Sequence, residues 1–533
     1  MTPELVFHGG AGTVTGSCYE IIHAGGRLMI DCGMFQGNKT VRALNYRDFP
    51  FTPSEVDTLL LTHAHIDHTG LIPKLHKHGF KGRIHATAPT ADLASFMLPD
   101  SGYIQESEVE RLNRRNKRRG KPEVEPIYTR KDAEACLKRF ESVSMEQWFA
   151  PMAGIKARYW NAGHILGSAS IELMVENPSA GSARPVHMLF SGDLGPDEKV
   201  FHLEPDAPAG FDYILCESTY GDREREDATV DERRAALKRE ILDALQAGGN
   251  LLIPAFAVER TQELLHDIGV LMAQNEIPTK PVFLDSPLAN NATKVFIEHA
   301  ASLDDIAMDE AELFKNPNFN FTSSVEESKA INKVKGGAII MAASGMCDAG
   351  RIRHHLRNNL YKKDATVLFV GYQAPGTLGS FILNGEEEVR IHGREVKVNA
   401  RIRRIGNYSA HADQGELIAW VKERLPVHAG LFLTHGDDKA REVLKEHLAS
   451  EGMDAERIVL PGLDERATLG VDPDQKPISV QEKRARVAPA DMATDWYNDY
   501  ASLLLKLGRQ LEAMEDGDAR RALLRKMRAL LKT

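Results

Sequence analysis

Cysteine is scarce: five residues in 533 (Cys18, Cys32, Cys136, Cys216 and Cys347), far apart and never in CxxC spacing. That excludes a disulfide framework and a thiolate zinc site, and it points to a reducing cytoplasm. No apolar run is long enough to cross a bilayer, so no membrane association is expected. The N-terminal "MTPELVFHGGAG" lacks the basic region, apolar core and cleavage site of a secretion signal. Positive charge is not in excess either. The net charge of −10 gives no global pull toward nucleic acid and leaves polyanion binding to local patches. Internal repeats and low-complexity tracts are absent too.

What remains is the composition of a globular protein, 42% hydrophobic and 27% charged, too long for one ordinary core. The first 210 residues are strand-rich, beginning with three short strands across "LVFHGGAGTVTGSCYEIIHAGGRLMIDCG". Residues 104–147 turn polar and helical, with the basic run "RLNRRNKRRGK" at 111–121. From about residue 211 short apolar runs alternate with helical periodicity, the signature of a parallel α/β sheet, up to about residue 400. A further strand-bearing block occupies 401–483, and 484–533 reads as two amphipathic helices broken near Asp516–Gly517. Their apolar stripe needs a cover, either the body of the chain or a second copy in a homodimer.

The densest chemistry lies in "LLLTHAHIDHTG", residues 59–70. His63 and His65 are two apart, so in extended backbone they point to one side. Asp67 follows as the expected cap of a helix with Pro73 early and Gly79 as its stop. Other histidines and acids share this context, a strand before and glycine beside: Asp31, His164, Asp193, Glu217, His411 and His435. Strand-end loops are where sheet folds display functional groups. Two zinc ions need about eight donor positions, one usually a shared carboxylate. His63, His65, Asp67, His68, His164, His435 and a bridging Asp193 meet that need. Isolated histidines such as His8, His202 and His355 read as packing residues instead.

Together, "THAHIDH", "GHILGSA", "SGDLG" and the early "DCG" resemble the metallo-β-lactamase fold. "ESTYGDR", "SAHAD" and "LTHGD" resemble the further motifs of its β-CASP branch of nucleic-acid-processing nucleases. All seven stand in order, and the resemblance extends to about residue 480. Within that branch the chain resembles the endonuclease subunit of the cleavage and polyadenylation machinery and its bacterial and archaeal homologues.

The resemblance implies an αββα sandwich with an inserted α/β parallel-sheet β-CASP domain, and two Zn2+ per chain. One zinc would be held by His63, His65 and His164, the other by Asp67, His68 and His435, with Asp193 bridging. Asp31 would orient a ligand histidine. His411 would be the general acid, oriented by Glu217, in hydrolysis of single-stranded RNA to 5′-phosphate and 3′-hydroxyl ends.

For phosphate binding the sequence offers Ser409 and the N–H groups from Ala410 to Asp413 at a helix start. Ser344, Gly345, Arg351 and Arg353 form a second candidate. The basic run 111–121 is either a solvated helix face or a rim guiding the strand. A glyoxalase II-like thioesterase shares "THxHxDH" but needs neither Glu217, His411 nor an inserted domain. A DNA nuclease of the branch usually carries valine where His435 stands. An inactive scaffold would have lost ligands, and none is lost here.

Overall fold

The computed structural model describes residues 2–37, 39–177, 184–197, 199–224, 229–299, 312–373, 376–406 and 408–470. It also describes 480–481, 507, 510–511, 514 and 516–530. Six strands open the chain: β1 (Glu4–Gly9), β2 (Cys18–His23), β3 (Gly26–Ile30), β4 (Thr58–Leu60), β5 (Arg83–Thr87) and β6 (Phe140–Val143). They form one sheet, antiparallel from β1 to β3 and parallel from β3 to β6. The next five are β7 (Phe149–Met152), β8 (Ile155–Asn161), β9 (Ala169–Val175), β10 (Val186–Phe190) and β11 (Phe211–Glu217). They build most of a second sheet.

The inner faces of the two sheets meet through Leu5, Phe7, Leu28, Ile30 and Leu60 on one side. Ile171, Leu173, Met188, Phe190, Tyr213, Leu215 and Phe432 face them, all buried. Each such side chain contributes about 1.5–3 kcal/mol by leaving water. Helices cover the outer faces. Ile72–Lys77, Ala88–Arg118 and Arg130–Cys136 lie on the first sheet, and Gln414–Glu423 and Asp438–Ser450 on the second. The layers are therefore αββα, as expected.

After β11 the chain leaves this sandwich and builds a third sheet. Its strands are β12 (Leu251–Pro254), β13 (Val282–Leu284), β14 (Phe319–Phe321), β15 (Ile339–Ala342) and β16 (Thr366–Phe369). A small hairpin of β17 (Glu388–Ile391) and β18 (Arg394–Lys397) precedes the last strand, β19 (Arg401–Arg404). The order is β14-β13-β15-β12-β16-β19, with every pair parallel. "LLIP", "IIMA" and "TVLF" are buried throughout and almost wholly apolar because both faces of a parallel sheet are covered. The chain then returns through β20 (Val427–Thr434), β21 (Ile458–Val459), β22 (Arg466–Thr468) and β23 (Val480–Gln481).

Three sequence expectations change. The inserted domain does not span 211–400. β11 pairs with β10 and β20 inside the second sheet of the sandwich, and β19 still belongs to the inserted sheet. A fully buried strand looks the same in either sheet, so its partner was not readable from the run "FDYILCE".

Asp67 is not a helix cap. The helix runs Ile66–Thr69 from His65, breaks, and restarts as Ile72–Lys77. The break arises because the 31–34 loop takes the hydrogen bonds: Cys32 N–H donates to His68 O, and Leu71 N–H to Cys32 O. The polar helix begins well before residue 104, at Ala88, and ends at Arg118 within the basic run.

The first C-terminal helical segment, from Arg484, lies almost wholly outside the described residues. The second is helix Gly517–Leu530. Among the described residues no helix is long and apolar enough to cross a membrane.

Candidate metal centre

The strand ends converge. β11 and β20 pair in parallel with Glu217 opposite Thr434, which sets His435 beside the end of β11. His68 and His435, 367 residues apart in sequence, bring their Nε2 atoms within 3.2 Å. Two site residues, Asp31 (φ 58°) and His435 (φ 47°), adopt the left-handed conformation. This costs such residues about 1–3 kcal/mol and persists only under tertiary restraint. For Asp31 the restraint is three hydrogen bonds: from Thr62 N–H (2.8 Å) and Thr62 Oγ1 (2.8 Å), and from His68 Nδ1 (2.7 Å). His435 N–H is held by Gly10 O at 2.6 Å. Gly33 must be glycine, since a Cβ there would lie 1.6 Å from the Asp67 carbonyl oxygen.

Three groups of possible donors emerge among the described residues: His63, His65, His164 and Asp193; Asp67, His68 and His435; and Asp193 with Glu217 and His411. His63 Nε2 lies 3.2 Å from His65 Nδ1, and His164 Nε2 lies 3.1 Å from the same atom. Most of the other ring nitrogens are committed as donors: His164 Nδ1 to Ala410 O (2.8 Å) and His68 Nδ1 to Asp31 (2.7 Å). Likewise His435 Nδ1 meets Thr219 Oγ1 (3.0 Å) and His63 Nδ1 meets Thr62 Oγ1 (3.1 Å). In the neutral rings the nitrogens that face each other therefore carry lone pairs. For His68, burial opposes a charge, but the Asp193 and Asp31 carboxylates outweigh it and favour a cation at this place. Lone pairs this close repel unless a cation lies between them, and a tetrahedral site with bonds of about 2.0–2.1 Å has edges of about 3.3 Å.

Asp193 sits between the first two groups. Its Oδ2 is 3.5 Å from His63 and His164, and its Oδ1 is 3.2 Å from His68 and 3.5 Å from His435. That Oδ1 is buried without a hydrogen-bond partner among the described residues. Burial, reinforced by neighbouring rings, holds His63 and His164 well below the usual histidine range and His65 at about 4. They are neutral ligands near pH 7. The residues fit a metal centre.

Beside it stands a different arrangement. His411 Nδ1 lies 3.0 Å from Glu217 Oε1, which also accepts from Leu194 N–H at 2.7 Å. Burial works against a charge on His411, yet the Glu217 carboxylate outweighs it and raises the imidazole above its ordinary value. Its Nε2 points at the centre, 3.9 Å from Asp193, while the ring packs on His164 with centroids 4.5 Å apart.

The expected phosphate sites fare less well. The N–H groups beyond Ala410 are already used: His411 N–H by Ser409 Oγ, Ala412 N–H by Leu194 O, and Asp413 N–H by Glu416 in a capping box. Ser409 and Ala410 line the site but do not open a free cradle of N–H groups. Arg351 is bound to Asp285 (2.7 Å) and Ser323 O (2.7 Å), and Arg353 to Asp348 O. Ser344 and Gly345 sit in the loop after β15, where Gly345 O accepts from Gln373. His8, His202 and His355 are packing residues, each bound to a buried carboxylate.

Sequence reasoning missed Thr62 and Thr219, which fix ring orientations. Their only signal was nearness in sequence, Thr62 beside His63 and Thr219 two residues after Glu217. It also missed Lys199, whose ammonium binds the His164 carbonyl and stands 3.6 Å from the buried Glu259.

A donor cluster of this composition, at the rim of an αββα sandwich, defines a metal-dependent hydrolase of the metallo-β-lactamase class. Three family models match the chain: metallo-β-lactamase superfamily at residues 11–142, Beta-Casp domain at 261–382, and Zn-dependent metallo-hydrolase RNA specificity domain at 395–461. A ribonuclease of Thermus thermophilus is 34% identical over 85% of this chain and 97% of its own length. The transcription termination factor FttA of Methanosarcina mazei is 27% identical over 81% of this chain and 66% of its own. The cleavage and polyadenylation specificity factor subunit 3-I of Arabidopsis thaliana is 29% identical, over 83% and 60%. The chain belongs to the β-CASP branch of the metallo-β-lactamase superfamily.

Proposed function

We propose that this protein is a cytoplasmic, zinc-dependent ribonuclease that hydrolyses single-stranded RNA to 5′-phosphate and 3′-hydroxyl ends. The observation that carries this reading is the His411–Glu217 pair beside the metal centre. A thioester hydrolase expels a thiolate that needs no proton, whereas phosphodiester hydrolysis expels an alkoxide that does. Relatives named for RNA cleavage, transcription termination and polyadenylation support RNA as the polymer.

In this reading His63, His65, His164 and Asp193 would hold one zinc, and Asp67, His68, His435 and Asp193 the other. When bound, the pair supplies a water activated at neutral pH and neutralises charge on the phosphate. The chain's own groups do the rest. Asp31 and Thr219 fix the tautomers of His68 and His435, and Glu217 keeps Nδ1 of His411 protonated. Nε2 of His411 delivers the proton to the departing 3′-oxygen.

Purified protein given end-labelled RNA and DNA of one sequence tests this. Single-stranded RNA should be cut well, single-stranded DNA poorly, and S-lactoylglutathione not at all. Comparable rates on RNA and DNA would remove the RNA preference and keep the nuclease. Thioester turnover without phosphodiesterase activity would overturn the reading.

A further inference from the structure

The C-terminal edge of the inserted sheet faces His411, and it carries an arginine that nothing described so far employs. Arg260 begins the helix Arg260–Ala273, just after β12. Its Nε donates to Tyr408 O, three residues before His411, and the guanidinium lies over Phe256 at 5.3 Å. Its remaining N–H groups have no hydrogen-bond or ion-pair partner among the described residues, although burial pulls its basicity below the ordinary arginine value. The carboxylates of Glu263 and Glu259 act on it only from a distance, and no anion pairs with it directly among the described residues. Room for it exists because residue 371 is glycine: a Cβ there would fall 2.2 Å from Nη1.

The next residue, Tyr372, is 39% exposed, large and aromatic. The Arg223 guanidinium lies 5.4 Å from the Tyr372 ring and 5.9 Å from the Tyr220 ring. Tyr220 in turn meets His411 edge-on, with centroids 5.9 Å apart and planes at 83°. Two aromatic rings and a cation, contributed by both domains, thus line one wall beside the proposed proton donor. Single-stranded nucleic acid is held by such surfaces, with bases on aromatic or guanidinium planes and phosphates on arginine.

Resting on the ribonuclease reading, we propose that Arg260, Tyr220, Arg223 and Tyr372 form a subsite for one nucleotide of the strand. That nucleotide is the one whose 3′-oxygen departs. Its 5′-phosphate pairs with Arg260, one linkage upstream of the cut, and its base stacks on the Tyr372–Arg223 face. Placement on the leaving-group side follows from Tyr220, which touches the ring that protonates the departing oxygen.

The test uses the zinc-loaded protein and a short RNA whose cut site has been mapped. One strand carries a neutral methylphosphonate at the linkage upstream of the cut, another an abasic residue at that nucleotide. The methylphosphonate should cost the wild type about tenfold in kcat/KM and cost Arg260→Gln nothing further. The abasic strand should do the same with Tyr372→Ala, about tenfold being ordinary for one base stack. Gly371→Ala, which displaces the guanidinium without removing its charge, should behave like Arg260→Gln. Tyr372 is exposed, so its variant tests the stacking half even if the Arg260 variant folds poorly. Wild-type-like cleavage of the native strand by both Arg260→Gln and Tyr372→Ala overturns the subsite and leaves the nuclease. So do penalties that multiply instead of coinciding. A wild type that neither cuts nor binds RNA removes both.

Discussion

Replacing His411 by alanine removes the imidazole that Glu217 holds while leaving all seven proposed metal donors in place. General-acid catalysis is ordinarily worth 10²–10⁴ in rate, about 3–5 kcal/mol at about 1.36 kcal/mol per decade. The geometry argues for the middle of that range or above. Glu217 is fixed by N–H groups of Leu194 (2.7 Å) and Thr219 (3.2 Å) before it grips His411 at 3.0 Å, so the proton is delivered from a preset direction.

Two substrates separate chemistry from damage. RNA expels an alkoxide that needs the proton, whereas bis(p-nitrophenyl) phosphate expels a nitrophenolate that leaves without one. His411→Ala should slow RNA cleavage by about 10³ and the nitrophenyl diester by less than about tenfold, with metal content by elemental analysis unchanged. A pH profile gives a further readout. Burial works against the charge but the carboxylate raises His411, so wild-type activity should persist above the ordinary histidine value and decline as the pH climbs through the raised one. The variant should lack that decline. Equal losses on both substrates, or loss of metal with the side chain, would refute the acid and make His411 a ligand.

Other outcomes follow from the same geometry. Purified protein should carry close to two zinc ions per chain, and His63→Ala or Asp193→Ala should lose metal and activity together. Active protein without transition metal would contradict this. Glu259 is buried between the domains against His202 and Lys199; burial disfavours its charge, but these two partners prevail and hold it at about 2. Because the folded value lies below the ordinary 4.5, its stabilisation is complete above that pH and drains as the pH falls toward 2. Glu259→Gln should cost about 3 kcal/mol in denaturant melts at pH 7 and correspondingly less at pH 3; a loss independent of pH would show that the charge is immaterial. Neutralising Arg114, Arg115, Arg118 and Arg119 should flatten the salt dependence of RNA binding by about 0.7 per lost phosphate contact. An unchanged slope would return that helix end to solvent.

The metal-site candidates were legible because each donor follows a strand and sits beside glycine, a context that short-range pattern exposes. The partners that orient them were not. Thr62 and Thr219 are ordinary residues until folding sets a ring nitrogen against each hydroxyl, and Arg260 looks like any first residue of an amphipathic helix. The αββα layer order came with the family resemblance and the parallel α/β block from periodicity, but the fate of β11 was readable from neither, since a run buried on both faces carries no mark of its partner. The phosphate cradle expected at Ala410–Asp413 failed for a local reason. The helix there caps itself through Asp413 and Glu416, and Leu194 takes another N–H.

The parallel register of β11 on β20 also fixes when the centre comes into being. As the chain emerges from the ribosome, His63, His65, Asp67, His68, His164 and Asp193 all precede the inserted sheet. His411 and His435 come only after it. A nascent chain that stops within the insertion holds most of the metal donors but neither the proton donor nor the last histidine. β11 waits meanwhile with an open edge. Closing that pairing spans a very long loop, so it belongs to the slow, late part of folding. The proposed proton donor and the last metal-site histidine are thus the final parts of the centre that the chain supplies.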